Sequence, residues 1–167
     1  MRTPRQKQIK RLIKSLQLTG FRTPFNILAD HEFLLSYNKA QLSLSYLEKI
    51  LNGTIRLFIT QCEYNRFKLK CNEKKLIGHV ALKKCNHIDF RQQECLNEAI
   101  LDKNPDHFFL ASKCKRISEE KKIPRIYMRA GVVCVEMNAE EVKKIKKAEP
   151  PGLTQQEKER LDKMFME

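Results

Sequence analysis

A chain of 167 residues carries 33 Lys and Arg against 20 Asp and Glu, a formal charge of +13 and an isoelectric point near 9.6. That length suits one domain with short extensions and a core of its own, and an apolar content of 41% excludes a composition too polar to fold. The cationic excess points to a polyanionic partner, nucleic acid first, and no run approaches the roughly 20 apolar residues of a membrane span.

Residues 1–22 hold seven cations (Arg2, Arg5, Lys7, Lys10, Arg11, Lys14, Arg22) and no carboxylate. Ile9, Leu12, Ile13 and Leu16 recur at helical spacing, so a basic amphipathic helix is expected. RNA or a ribonucleoprotein partner is the favoured surface for it, with packing on its own domain as the alternative. Residues 25–30 read as a short buried strand ending in the Asp30 carboxylate. Helical spacing follows over 31–38 and 43–51, with Ser43 as cap and Gly53 as stop. A second strand spans 55–59 and runs through Cys62 into a basic helical stretch. A further helix is expected over about 73–84, another over 94–101, and a third strand over 107–111. The basic segment 113–122 precedes strands four and five at 125–128 and 132–135. Pro150-Pro151-Gly152 marks a break before a detached helix over 154–166.

Strands alternating with helices predict an α/β fold. It has a central, mostly parallel sheet of about five strands and helices on both faces. Sites in such sheets form beyond the carboxyl ends of the strands, which brings Asp30, Cys62 and the 113–116 segment toward one edge.

Six cysteines follow an N-terminus without an apolar signal segment, so the expected compartment is reducing, and cysteine with histidine means metal or packing. Cys85, His87 and Cys95 fall within eleven residues, and Cys62 lies upstream. Thiolate and imidazole are the ligands zinc prefers, four of them closing a tetrahedral structural site. The spacing is not the usual paired finger spacing, and buried reduced thiols are the competing reading.

Ile27–Asp30, Ile59–Cys62, Cys85-Asn86-His87 with Glu94-Cys95, and Leu110-Ala111-Ser112 stand in the order seen in one family. Together with Phe21-Arg22-Thr23-Pro24-Phe25 they resemble the PIN-domain rRNA-processing proteins of the small-subunit processome, the Utp twenty-three and Fcf one family, and lean toward the former branch. The resemblance covers roughly residues 5–137. It implies a PIN-like three-layer fold, assigned to residues 23–148; the residues themselves add a basic helical extension at 1–22 and a tail helix at 149–167. It also implies one structural Zn²⁺ on Cys62, Cys85, His87 and Cys95, with Cys71 the competing fourth ligand. Cys114 and Cys134 match no ligand position and are expected to pack; His31, His79 and His107 are expected at ordinary surface or core positions.

Active PIN domains gather three or four carboxylates around divalent ions, which need oxygen ligands. Asp30 and Glu94 match two of those positions. Elsewhere the chain departs from the pattern: Ser112-Lys113-Cys114-Lys115-Arg116 stands where an Asp is expected, and Arg66 where a Glu is. The carboxylates Asp30 and Glu94 are therefore read as vestigial, with no catalytic residue. Helix capping is the alternative for Asp30, and a helix first-turn role the alternative for Glu94 and Glu98. The implied function is a non-catalytic RNA-binding assembly factor of the 90S pre-ribosome, in early pre-rRNA processing and 18S rRNA maturation in the nucleolus. Its expected partners are pre-rRNA, a small nucleolar RNA and other assembly proteins, with no membrane and no homo-oligomer. The RNA contacts are assigned to Arg2, Arg5, Lys7, Lys10, Arg11 and Lys14; to Lys68, Lys70, Lys83 and Lys84; to Arg91; and to Lys113, Lys115 and Arg116. Tyr64 and Phe67 could stack on bases, core packing being favoured for Phe67. The rival readings are a metal-dependent endoribonuclease using Asp30, Glu94 and Glu98, and a protein-docking module.

Overall fold

In chain order, the elements of the computed structural model are α1 (Thr3–Leu18), β1 (Phe25–Ala29), α2 (His31–Lys39), α3 (Leu44–Leu51), β2 (Ile55–Thr60), α4 (Gln61–Lys70) and β3 (Val80–Lys83). They continue with α5 (Cys95–Ala99), β4 (Phe109–Ala111), α6 (Arg116–Glu120), β5 (Arg125–Arg129), β6 (Val132–Glu136) and α7 (Ala139–Ala148). The structure describes residues 3–71, 79–87 and 95–148. The predicted tail helix over 154–166 lies outside them.

One sheet of order β3-β2-β1-β4-β5-β6 organises the chain, parallel throughout except for β6. The most apolar strands, β1 and β4, occupy the middle, as expected where helices cover both faces. Side chains alternate between those faces. Ile27, Ala29, Leu57, Ile59, Phe109 and Ala111 join the core with α1 to α4 and α7. Leu28 and Leu110 turn the other way, onto Leu96, Ile100, Ile117 and Ile123. The result is the expected three-layer α/β arrangement.

Several local readings change. The helix predicted over 73–84 contains β3, paired in register with β2 from Leu57↔Val80 to Thr60↔Lys83; residues 72–78 lie outside the described set. Pairing with the open edge of β2 overrides the helical spacing there, and the sheet has six strands rather than about five. The third strand starts at Phe109, because His107 turns the chain at φ +49 and Asn104 brackets Phe108 through both its amide atoms. Ser43 sits at the start of α3 without a side-chain capping bond, and Asn52, in the left-handed region, ends that helix just before Gly53. Helix α7 had no sequence prediction. Asn138 Oδ1 accepts the Glu140 N–H at its start, and Ile145 is buried. It packs against α1. The apolar face of α1 is not free for a partner: Ile9, Ile13 and Leu16 are buried in the domain core. Its cations Lys7, Lys10, Arg11 and Lys14 face solvent.

Candidate metal centre and the carboxylates beside it

Thr60 ends β2 and caps α4 by accepting the Glu63 N–H. That turn buries two successive side chains, Cys62 and Glu63, which serve two different sites.

Cys62 meets the loop after β3 and the start of α5. Its Sγ lies 3.5 Å from Cys85 Sγ and 3.5 Å from His87 Nδ1. The donor atoms of Cys62, Cys85, His87 and Cys95 all lie within 4.8 Å of one another. Around a tetrahedral zinc with bonds of about 2.0–2.3 Å, donor atoms stand roughly 3.5–3.8 Å apart, so these four residues could hold one metal ion in a closed site. Nε2 of His87 lies 2.6 Å from the Glu98 carboxylate, the kind of outer partner that fixes a ligating imidazole with Nδ1 aimed at the ion. Burial pushes the Cys62 thiol up to about 12 and raises Cys95. Burial opposes ionisation at Cys85 too, but hydrogen bonds from Cys62, Cys95 and His87 bring it down to about 7. Hydrogen bonding to Cys85 and to Glu98 raises His87. Cys71 stands outside the cluster, beside Asn38 Nδ2 at 3.6 Å. Cys134 is buried, as expected of a packing residue, whereas Cys114 is exposed in the loop after β4, against expectation.

The second group of residues lies buried at the carboxyl ends of β1 and β4. Asp30 caps α2, Oδ1 accepting the Phe33 N–H at 2.6 Å. Burial, reinforced by the charge of Glu63, lifts its pKa to about 6 against the hydrogen bonds of Ser112 and Phe33 and the charge of His31. Glu63, only 2% exposed, was not foreseen as a site residue. It accepts the His31 N–H at 2.9 Å, contacts His31 Nδ1 at 2.6 Å, and is paired with Arg66. Burial pushes this carboxyl up, but His31 and Arg66 outweigh it and hold it below the ordinary glutamate range. His31 is thus more than a surface histidine: its Nε2 also lies 3.3 Å from Lys70 Nζ. Glu94 lies outside the described residues, and Glu98 faces His87.

The other expected RNA-contact residues divide. Lys84, Lys113, Lys115 and Arg116 are exposed, as are the four α1 cations. Lys68 is exposed over the Tyr64 ring at 4.5 Å. Phe67 is a core residue. Arg5 turns inward to Cys134 Sγ, and Lys83 bonds the Ala99 carbonyl at 3.1 Å and covers the Phe108 ring, so neither presents a free cation. Arg2 and Arg91 lie outside the described residues.

A parallel sheet with buried carboxylates at its carboxyl edge and a Cys/His cluster alongside fits a PIN-type domain. Among solved structures, the chain is similar to the PIN domain endonuclease Utp24, with a TM-score of 0.57 and 14% identity over 70% of this chain and 95% of that one; the likeness is one of fold. The sequence model of the Fcf1 family matches residues 49–137, more than half of the chain, and the protein belongs to that family. The rRNA-processing protein utp23 of Schizosaccharomyces pombe is 28% identical over 150 residues, which cover 81% of this chain. The match takes in 58% of the length of that relative.

Proposed function

We propose that the protein is a non-catalytic RNA-binding assembly factor of the small-subunit processome, the 90S pre-ribosome. It acts in early pre-rRNA processing and 18S rRNA maturation, in the nucleolus, against pre-rRNA, a small nucleolar RNA and neighbouring assembly proteins. The observation that carries this reading is Glu63. Its two oxygens are taken by His31 and Arg66, while Asp30 caps a helix, so neither is presented as a free ligand to a hard divalent ion. The exposed Lys113, Lys115 and Arg116 nearby suit phosphate instead. The name of the fission-yeast relative, an rRNA-processing protein, supports the process.

Zinc is the ion proposed for Cys62, Cys85, His87 and Cys95, supplying a rigid junction rather than chemistry. The domain reading is a PIN-like unit over 23–148, an N-terminal helical extension at 1–22 fastened by its apolar face, and a tail at 149–167. A second reading, endoribonuclease, has one observation behind it: Asp30 and Glu63 are close enough for the charge of one to raise the pKa of the other, as carboxylates sharing a metal site do.

In-cell ultraviolet crosslinking followed by sequencing of the attached RNA tests the assignment. Reads are expected to concentrate in small-subunit pre-rRNA and a small nucleolar RNA. Reads scattered over messenger RNA, or none above background, would overturn it.

A further inference from the structure

The carboxyl edge of the sheet holds a concavity lined by neither the Cys/His cluster nor Asp30 and Glu63. It is a groove of about 410 Å³ between α2 and the β5–β6 hairpin. Strand β5 runs parallel to β4, so the hairpin turn that follows it stands at the same edge as Asp30 and Ser112. Lys113, which lines the groove, directly follows Ser112, whose hydroxyl is hydrogen-bonded to Asp30.

The lining is mixed in a particular way. Ser36, Ala40 and Gly131 leave the space open, and Met128 offers an apolar, polarizable surface. Lys39 and Lys113 bring two exposed side chains, and among the described residues neither ammonium nitrogen has a hydrogen-bond or ion-pair partner, although the Lys113 carbonyl accepts from Arg125. The volume is that of a site for one small ligand, within the usual range of about 300–1,000 Å³. A ligand matching this lining has an apolar part to lie on Met128 and anionic groups for the two lysines, as a nucleotide's base and phosphates do. A base within a duplex is stacked between its neighbours and cannot enter a concavity without unpairing, whereas an unpaired base can be splayed into one.

We propose that this groove receives one unpaired nucleotide of single-stranded RNA, its base against Met128 and its flanking phosphates on Lys39 and Lys113. The proposal rests on the RNA-binding reading above and adds to it a residue from α2 and a preference for unpaired RNA.

Fluorescence anisotropy with a labelled unstructured RNA and a labelled RNA duplex, across a salt series, tests it. Three forms of the full chain are compared: the unchanged protein, Lys39→Ala/Lys113→Ala, and Ser36→Leu/Ala40→Leu, which fills the groove without altering charge. The lysine variant should lose roughly tenfold on single-stranded RNA, and its salt slope should become shallower by about 1.4, two phosphates at about 0.7 each. The filled variant should lose single-strand affinity with its slope unchanged, and keep its duplex affinity. Should the filled variant fail to fold, the lysine variant alone decides, since both lysines are exposed. Equal losses on single strand and duplex in either variant, or variants that bind like the unchanged protein, would overturn the groove and leave the broader function standing. An unchanged protein that binds neither RNA would overturn both. Competition by a free mononucleotide as strong as by the RNA would assign the groove to small nucleotides and overturn the RNA proposal.

Discussion

Asp30 is held in a position that disfavours its charge. It caps α2, yet its pKa of about 6 lies well above the ordinary 3.8 because the group is buried and faces Glu63. The sign of the pH dependence follows. Below about 3.8 the carboxyl is protonated folded and unfolded alike; between about 3.8 and 6 the folded state retains a proton that the unfolded chain releases, so stability falls as pH rises through that window. At neutral pH the ionised group costs the fold on the order of 2–3 kcal/mol. Asp30→Asn keeps a capping oxygen and removes the ionisation, so urea titration should find the variant more stable at pH 7, with the gain vanishing near pH 4; equal stability at both pH values would show that burial does not destabilise this carboxylate. Glu63 has the opposite sign, because a depressed pKa contributes stability that is present at neutral pH and lost on acidification. Glu63→Ala removes the buried carboxylate that Arg66 and the His31 N–H share and should cost about 3 kcal/mol at pH 7, read from the same titration. Asp30 was legible in the sequence because it ends an apolar run. Glu63 was not: it sits one residue beyond Cys62 in a stretch that reads as a solvated basic helix, and only the fold shows that this turn of α4 is buried.

At the scale of elements, the Cys/His cluster joins parts that the sheet alone leaves weakly connected: the first turn of α4, the loop after the edge strand β3, and the five-residue helix α5. If the cluster holds an ion, removing it should therefore loosen residues 84–87 and α5 more than the sheet. One zinc per purified chain is the expected metal content. Chelation should lower the thermal midpoint, and Cys85→Ser should lose the metal while retaining the circular dichroism of an α/β fold; a metal-free protein whose melting ignores chelators would refute the assignment. The Cys-x-His and following Cys were visible in the sequence because thiols and imidazoles are rare and their spacing is short. Strand β3 was not visible, since its four residues become a strand only by pairing with β2, and α7 was overlooked although Asn138, two glutamates and Ile145 mark it. Gly53 was foreseen as a helix stop, but its demand is also steric: an added Cβ would lie 2.5 Å from Thr23 Cγ2 and 2.8 Å from Phe25 Cε2. Gly53→Ala should cost about 1–3 kcal/mol in a thermal or urea melt, because the wall it meets includes a core aromatic ring.

The net charge of +13 belongs to the whole molecule, but its distribution decides what it can do. The structure places one group of cations on the solvent face of α1 (Lys7, Lys10, Arg11 and Lys14) and another in and beside the loop after β4 (Lys113, Lys115 and Arg116), while Arg5, Lys83 and Arg125 are spent internally. Alternating strands and helices foretold the layers, and the carboxyl-end rule foretold the edge where the sites gather. The inward turn of three cations was hidden, because composition counts charges without regard to their partners. RNA binding by the exposed groups should be steeply salt-dependent. Engaging about six phosphates of a single strand gives a slope near −4 in log affinity against log salt. Replacing the four α1 cations by alanine should make that slope shallower by up to about 3, with little change in thermal midpoint, since these side chains are exposed and the apolar face of the helix is untouched. An unchanged slope would remove α1 from the RNA surface and leave the carboxyl edge as the contact. The same preparations, incubated with single-stranded RNA and Mn²⁺, should leave the RNA intact, because Arg66 pairs with Glu63, His31 occupies its other oxygen, and no free cluster of carboxylates is present among the described residues. Cleavage that disappears in Asp30→Asn would mean that a divalent ion displaces Arg66 from Glu63, and the chain would then be a nuclease held in check by its own arginine.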